Sequence, residues 1–306
     1  DKIIELEKVI NYHQVKRDQS EQVFPFNGRK DRKVAKLVIR TLLGDNRGTV
    51  CDPFGGSGTF AYAALDCGCK IKVNEWEPFA HRLMSAPFKK LPSKNDIDVA
   101  LETLKTDIYE DMFNLYKTKC PQCGKVLMFE SLFYDRIPLE YYHPQRHDRL
   151  GSNGENVIFR SKDHKCKCGC REKLFDKYDQ AIIDSIPDAP FIDYNIIENS
   201  RINFTSPEYT VFRNLFSKRQ RRALMILKNG IDSLPIKIKP FFEDVFFSIA
   251  HSAKYVDYRG KSQDNHCPET CIREYNLYYR FIEKAAERYE YLKRQNFNLN
   301  DIETGY

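Results

Sequence analysis

Val50-Cys51-Asp52-Pro53-Phe54-Gly55-Gly56-Ser57-Gly58-Thr59-Phe60 joins a short apolar run, Gly48 to Cys51, to a helix-like run that starts near Thr59. Gly55, Gly56 and Gly58 place residues without side chains at the turn, where backbone bends sharply or comes close to a ligand. The helix that follows points free N–H groups and the positive end of its dipole back at the turn. Strand, glycine turn and helix in this order predict an α/β fold with a nucleotide-type cradle, although tight packing alone also uses such glycines. No Gly-Lys-Ser/Thr follows, and the spacing is not that of the usual dinucleotide fingerprint, so a phosphate loop is not expected.

On the N-terminal side, residues 1–20 carry a helical apolar stripe (Ile3, Ile4, Leu6, Val9, Ile10). Asp31 through Leu43 repeats apolar residues at helical spacing, with Asp31 placed to cap its start and Gly44 its end. On the C-terminal side, Thr59 to Cys67 reads as a helix and Lys70 to Asn74 as a second strand. Phe79 to Tyr116 is largely helical, with a break near Pro87 to Ser93; Asp98, Asp107 and Asp111 form a charged face there.

A chain of 306 residues, 42% hydrophobic, has enough apolar surface for a packed core in one large domain or two smaller ones. No apolar run reaches the roughly 18–20 residues of a membrane helix, and Asp1-Lys2-Ile3-Ile4-Glu5 is unlike a signal peptide, so a cytoplasmic protein without a membrane partner is expected. The net charge of +6 mildly favours a polyanionic partner.

Five of the ten cysteines fall in two tight groups. Cys120-Pro121-Gln122-Cys123-Gly124 has the form of a zinc knuckle, and His164-Lys165-Cys166-Lys167-Cys168-Gly169-Cys170 follows roughly 40 residues later. The expected ligands are Cys120, Cys123, Cys166 and Cys168, with Cys170 and His164 as replacements. Zinc held by four protein groups has no open position, so its role is structural. Between the knuckles, Tyr134, Tyr141, Tyr142, Arg136, Arg146 and Arg149 make a basic, aromatic stretch suited either to phosphates and bases or to packing within the module. Later, Ser217 reads as the N-cap of a helix to about Leu234 whose start, Lys218, Arg219, Arg221 and Arg222, fits a DNA backbone or a solvated face. Pro240 to Ala253 and Cys271 to Gln295 read as further helices.

Asp52-Pro53-Phe54-x-Gly56-Ser57-Gly58-Thr59 resembles the first motif of the amino-group DNA methyltransferases, and Leu215-Phe216-Ser217-Lys218-Arg219-Gln220 resembles a segment of adenine-specific members that carry a zinc ribbon. The resemblance implies a partial Rossmann-like, S-adenosylmethionine (SAM)-dependent sheet at residues 1–116, an inserted zinc-ribbon module for DNA recognition at 117–176, and a mainly helical region at 177–306. It implies SAM contacts from Asp52, Pro53, Phe54, Gly55, Gly56, Ser57, Gly58 and Thr59. Glu75 at the end of the second strand, with Glu77 as fallback, is expected on the ribose hydroxyls, and Trp76 against adenine. The implied reaction is methylation of N6 of adenine, or less favoured N4 of cytosine, in double-stranded DNA, in a restriction–modification setting.

The family also needs an Asp/Asn/Ser-Pro-Pro-Tyr/Phe loop for the flipped base. Ser206-Pro207-Glu208-Tyr209 is the nearest sequence, with Glu in place of the second proline, which makes Ser206, Pro207 and Tyr209 weak catalytic candidates. Only two strands of the sheet are legible, ending near Cys51 and Asn74. The expectation is therefore a split or truncated enzyme whose catalytic loop and remaining strands come from a second chain or a missing segment. An RNA methyltransferase and a non-catalytic zinc-stapled DNA-binding subunit are the alternatives.

Overall fold

Asp31 opens helix α1 (Arg32–Leu43) by accepting hydrogen bonds from the Lys33 and Val34 N–H groups, and Gly44, at φ 61°, closes it with an N–H bond to Arg40 O. Both caps satisfy backbone groups the helix itself leaves open. In the computed structural model the described residues are 30–44, 47–135, 155–159, 166–188, 215–257, 271–295 and 297–305, with Ile4 and Glu7. The chain divides into two units: residues 1–92 with 286–306, and residues 93–285.

In the first unit, β1 (Thr49–Asp52), α2 (Thr59–Asp66) and β2 (Lys70–Asn74) follow one another, and the two strands pair in parallel with Val50 opposite Ile71. A third parallel strand, β10 (Ile302–Gly305), lies on the other side of β2, giving the order β1-β2-β10. The sequence shows only two strands of this sheet, and β10 adds a third; the described residues after 177 are otherwise mainly helical, as expected. Ile-Glu-Thr-Gly is too short and polar to show a strand period, and its conformation is set by pairing with β2. Ile71 and Val73 point into a core with Ala35, Ile39, Ala61, Ala64 and Met84, while Lys70, Lys72 and Asn74 alternate to the surface. Arg32 ties the C-terminal segment to this unit: its guanidinium bonds Asp66 and Gln295 and lies over the rings of Tyr62 and Phe297.

In the second unit, α4 (Lys94–Tyr116) follows α3 (Pro78–Ser85) of the first, with the expected break between them at a 3-10 turn, Ala86–Phe88. After α4 come the antiparallel pair β3 (Lys117–Lys119) and β4 (Val126–Met128), then β5 (Ser131–Asp135), β6 (Val157–Phe159), β7 (Glu172–Leu174) and α5 (Lys177–Ser185). Helices α6 (Lys218–Asp232) and α7 (Lys239–Ala253) and strands β8 (Val256–Asp257) and β9 (Cys271–Tyr275) follow, and α8 (Leu277–Arg294) begins in this unit and ends in the first. Strands β5 to β9 form an antiparallel sheet in the order β7-β6-β5-β9-β8. Cys271–Tyr275, read from sequence as helical, is a strand because it pairs along all of β5, and the helix begins only after Asn276, whose Oδ1 accepts the Tyr278 N–H. Helix α6 crosses α4 closely at Gly230, where an added β-carbon would lie 2.5 Å from Leu104 Cδ1. The sequence boundaries at 116/117 and 176/177 therefore fall inside the second unit: α4 packs with α6, and the chain end returns to β2.

Candidate functional site

The glycine turn is built by backbone constraints at the carboxyl end of β1. Asp52 Oδ1 accepts the Phe54 N–H at 3.1 Å, Gly55 N–H donates to Asn74 O at 2.9 Å, and Gly58 N–H donates to Gly55 O at 2.8 Å. A β-carbon on Gly55 would lie 2.5 Å from Met84 Sδ and 2.6 Å from Val73 Cγ2, so the turn presses directly on the core. Gly58 combines a left-handed φ of 82° with a position 2.6 Å, measured from an added β-carbon, from Tyr62 Cζ. Left-handed backbone costs a non-glycine residue about 1–2 kcal/mol, and overpacking about 1–3 kcal/mol. Gly58→Ala is therefore expected to lower the stability of this unit by about 2–4 kcal/mol, measured as an earlier urea or thermal transition.

Glu75 closes the turn from the end of β2. Its Oε2 accepts the Gly56 N–H at 2.6 Å and its Oε1 accepts the Glu77 N–H at 2.9 Å. Glu77, the fallback acid, is committed elsewhere: it caps α3 by accepting the Phe79 and Ala80 N–H groups. Ser57 and Thr59 are buried with their hydroxyl oxygens 3.2 Å apart, whereas Phe54 and Trp76 stand 86% and 85% exposed. Beside the turn, a cavity of about 220 Å³ lies at the carboxyl ends of β1, β2 and β10, lined by Asp52, Pro53, Asn74, Glu303 and Gly305 among others. In open parallel sheets this end is where ligands are held.

The four expected thiols come together in the second unit. Sγ of Cys120 and Cys168 are 3.5 Å apart, those of Cys123 and Cys166 are 3.2 Å apart, and all four lie within 4.8 Å of one another. A tetrahedral zinc site with Zn–S bonds of about 2.3 Å has sulfurs about 3.8 Å apart, so this donor set fits. Each knuckle turns on a glycine with positive φ: Gly124 N–H bonds Cys120 O, and Gly169 N–H bonds Cys166 O. Backbone N–H of Cys168, together with the Cys123 thiol, draws the Cys166 thiol below its usual range. At Cys168 the backbone N–H of Cys170 likewise pulls the thiol down, but desolvation and the neighbouring thiols outweigh it and push it up to about 12. Four thiolates this close repel one another without a cation between them, and the cluster could hold a metal ion such as zinc. Cys170 stands outside it, with its Sγ directed at Glu172 O, and His164 lies outside the described residues. The module is anchored by Thr118, which donates to Asp179 at 2.6 Å, and by the Lys173–Asp179 ion pair, both side chains of which are buried.

The basic start of α6 divides in two. Ser217 is the N-cap expected, accepting the Gln220 N–H. Lys218 is exposed and Arg222 half-buried, but Arg219 and Arg221 are 3% and 8% exposed, which removes them from the surface set expected to meet DNA. Arg219 pairs with buried Glu274 at 2.8 Å and lies over the Phe129 ring; Arg221 bonds Asp188 and Phe216 O. Gln220 accepts from Tyr116 Oη at 2.6 Å and donates to Tyr275 O at 2.8 Å. Burial and the Glu274 carboxylate hold the Tyr116 phenol well above its usual range. Sequence reasoning missed this polar network because its partners are more than 50 residues away in the chain. Arg136, Arg146, Arg149, Ser206, Pro207 and Tyr209 lie outside the described residues.

Comparison with protein-family models, with curated proteins and with solved structures returns no match.

Proposed function

We propose that this chain is the SAM-binding part of a DNA amino-methyltransferase, acting on N6 of adenine rather than N4 of cytosine, with structural zinc. The observation that carries the reading is the bond from Gly56 N–H to Glu75 Oε2, which joins the glycine turn to the strand-end acid at the carboxyl edge of parallel strands. That is the pair of elements the resemblance assigns to the cofactor, and the cavity of about 220 Å³ beside Asp52 and Pro53 is large enough for one end of it. Bound SAM supplies an electrophilic methyl group. The protein's part is to hold it: the turn backbone between Asp52 and Thr59 takes the amino-acid end, Glu75 accepts the ribose hydroxyls, and exposed Trp76 is available to stack on adenine. Four thiolates fill a zinc ion's coordination, so the metal staples the fold and takes no substrate.

The loop that receives the base is assigned to a second polypeptide or a further segment, with double-stranded DNA as substrate. Calorimetry with the full chain tests the cofactor half: SAM binds, and Glu75→Gln weakens it about tenfold or more, the worth of a charged hydrogen bond. No SAM binding, alone or with the partner chain, removes the enzyme reading. Labelled methyl transfer to DNA and to RNA separates the two substrates, and full activity of the isolated chain would remove the need for a partner.

A further inference from the structure

A second cavity, of about 330 Å³, lies wholly within the second unit, between the antiparallel sheet and the start of α6. Three half-buried aromatic rings line it: Tyr134 on β5, Phe175 just after β7, and Tyr255 just before β8, the two tyrosines meeting edge to face. Lys218, Arg219 and Glu274 contribute the charged groups. Arg219 and Glu274 are paired with each other at 2.8 Å, so the exposed ammonium of Lys218 is the third charge of the lining and makes its net charge positive. Asn156 also lines the space, as does Gln180, whose Nε2 donates to Asp184 at 2.8 Å and whose carboxamide oxygen is an acceptor.

These groups narrow the occupant. Two cations against one carboxylate repel a metal ion, and charged and amide groups make a purely apolar ligand a poor fit. The volume is at the small end of ligand pockets, enough for one planar group and not for a duplex. Aromatic walls take the face of a base, the Gln180 carboxamide oxygen accepts from an amino group on its edge, and a lysine in the first turn of a helix takes a phosphate.

The geometry points to a binding site for a single nucleotide unit, its base among Tyr134, Phe175 and Tyr255 and its phosphate at Lys218. The site is independent of the cofactor turn and stands whether or not SAM binds there. Its source is either a free nucleotide or a nucleotide within a single strand.

The test is calorimetry of the full, metal-loaded chain with deoxycytidine 5′-monophosphate, deoxycytidine, inorganic phosphate and a short oligodeoxycytidylate. Cytosine probes avoid the adenine that SAM carries. The monophosphate or the oligonucleotide binds saturably, and inorganic phosphate far more weakly. Phe175→Ala weakens binding about tenfold or more by removing a stacking face. Lys218→Ala, at an exposed position that leaves the fold alone, brings the monophosphate down to the affinity of deoxycytidine. Binding of the oligonucleotide alone assigns the source to a strand, and equal binding of the monophosphate assigns it to the free nucleotide. The proposal is overturned if neither binds, if inorganic phosphate binds as tightly as the monophosphate, or if Lys218→Ala leaves every affinity unchanged.

Discussion

Cys120→Ser and Cys166→Ser are each expected to abolish metal uptake by the second unit and to destabilise it more than any other single change. Both sulfurs are buried in the four-thiol cluster, and each substitution leaves three thiols that must share protons or charge at short range. Structural zinc contributes apparent binding free energies of about 10–16 kcal/mol in small knuckles, so partial loss is enough to melt the β3–β4 hairpin that carries Cys120 and Cys123 at its turn. Metal analysis of the wild-type chain, purified under reducing conditions, is expected to give one zinc per chain; the two variants give none, and their far-UV signal melts earlier. Cys170→Ser is the control, because that thiol bonds Glu172 O outside the cluster, and it should retain the metal. Equal loss in Cys170→Ser, or a wild-type chain that takes up no metal, would show that the cluster is not a metal site. Protons compete with the ion for thiolate, so zinc affinity falls as pH falls.

The second large effect is expected at Arg219→Ala. The change leaves the Glu274 carboxylate, 4% exposed at the side chain, without its counter-charge. Breaking a buried pair by removing one partner costs about 3–5 kcal/mol, and lost contact with the Phe129 ring adds to it. Replacing both residues, Arg219→Met with Glu274→Met, removes the charge imbalance and should recover most of the loss. Equilibrium urea denaturation of the single and double variants measures both. A DNA-contact role for Arg219 predicts the opposite pattern: weakened DNA binding with stability unchanged.

Local signals carried much of the first unit. The N-cap at Asp31, the positive-φ glycines at 44 and 58, and the alternation of Lys70 to Asn74 are each satisfied within a few residues, so the sequence displays them directly. The same holds for the two cysteine knuckles, because two-residue spacing and a glycine turn are written in the chain. Glu75 was legible because its distance from the turn places it at the end of the neighbouring strand.

The fates of Arg219, Cys271–Tyr275 and Ile302–Gly305 were not. Arg219 sits beside exposed Lys218 in an unbroken basic run, and only the approach of β9 makes one a buried ion and the other a surface charge. Cys271–Tyr275 and Ile302–Gly305 have weak local preferences, and each became a strand because a distant strand offered it hydrogen-bond partners. The sequence by itself determined the glycine turn, the acid that meets it and the thiols of the cysteine cluster, since those depend on short-range geometry. Tertiary structure decided which charges are buried, how the sheet acquires its third strand, and where the second cavity forms, since those depend on segments far apart in the chain meeting in space.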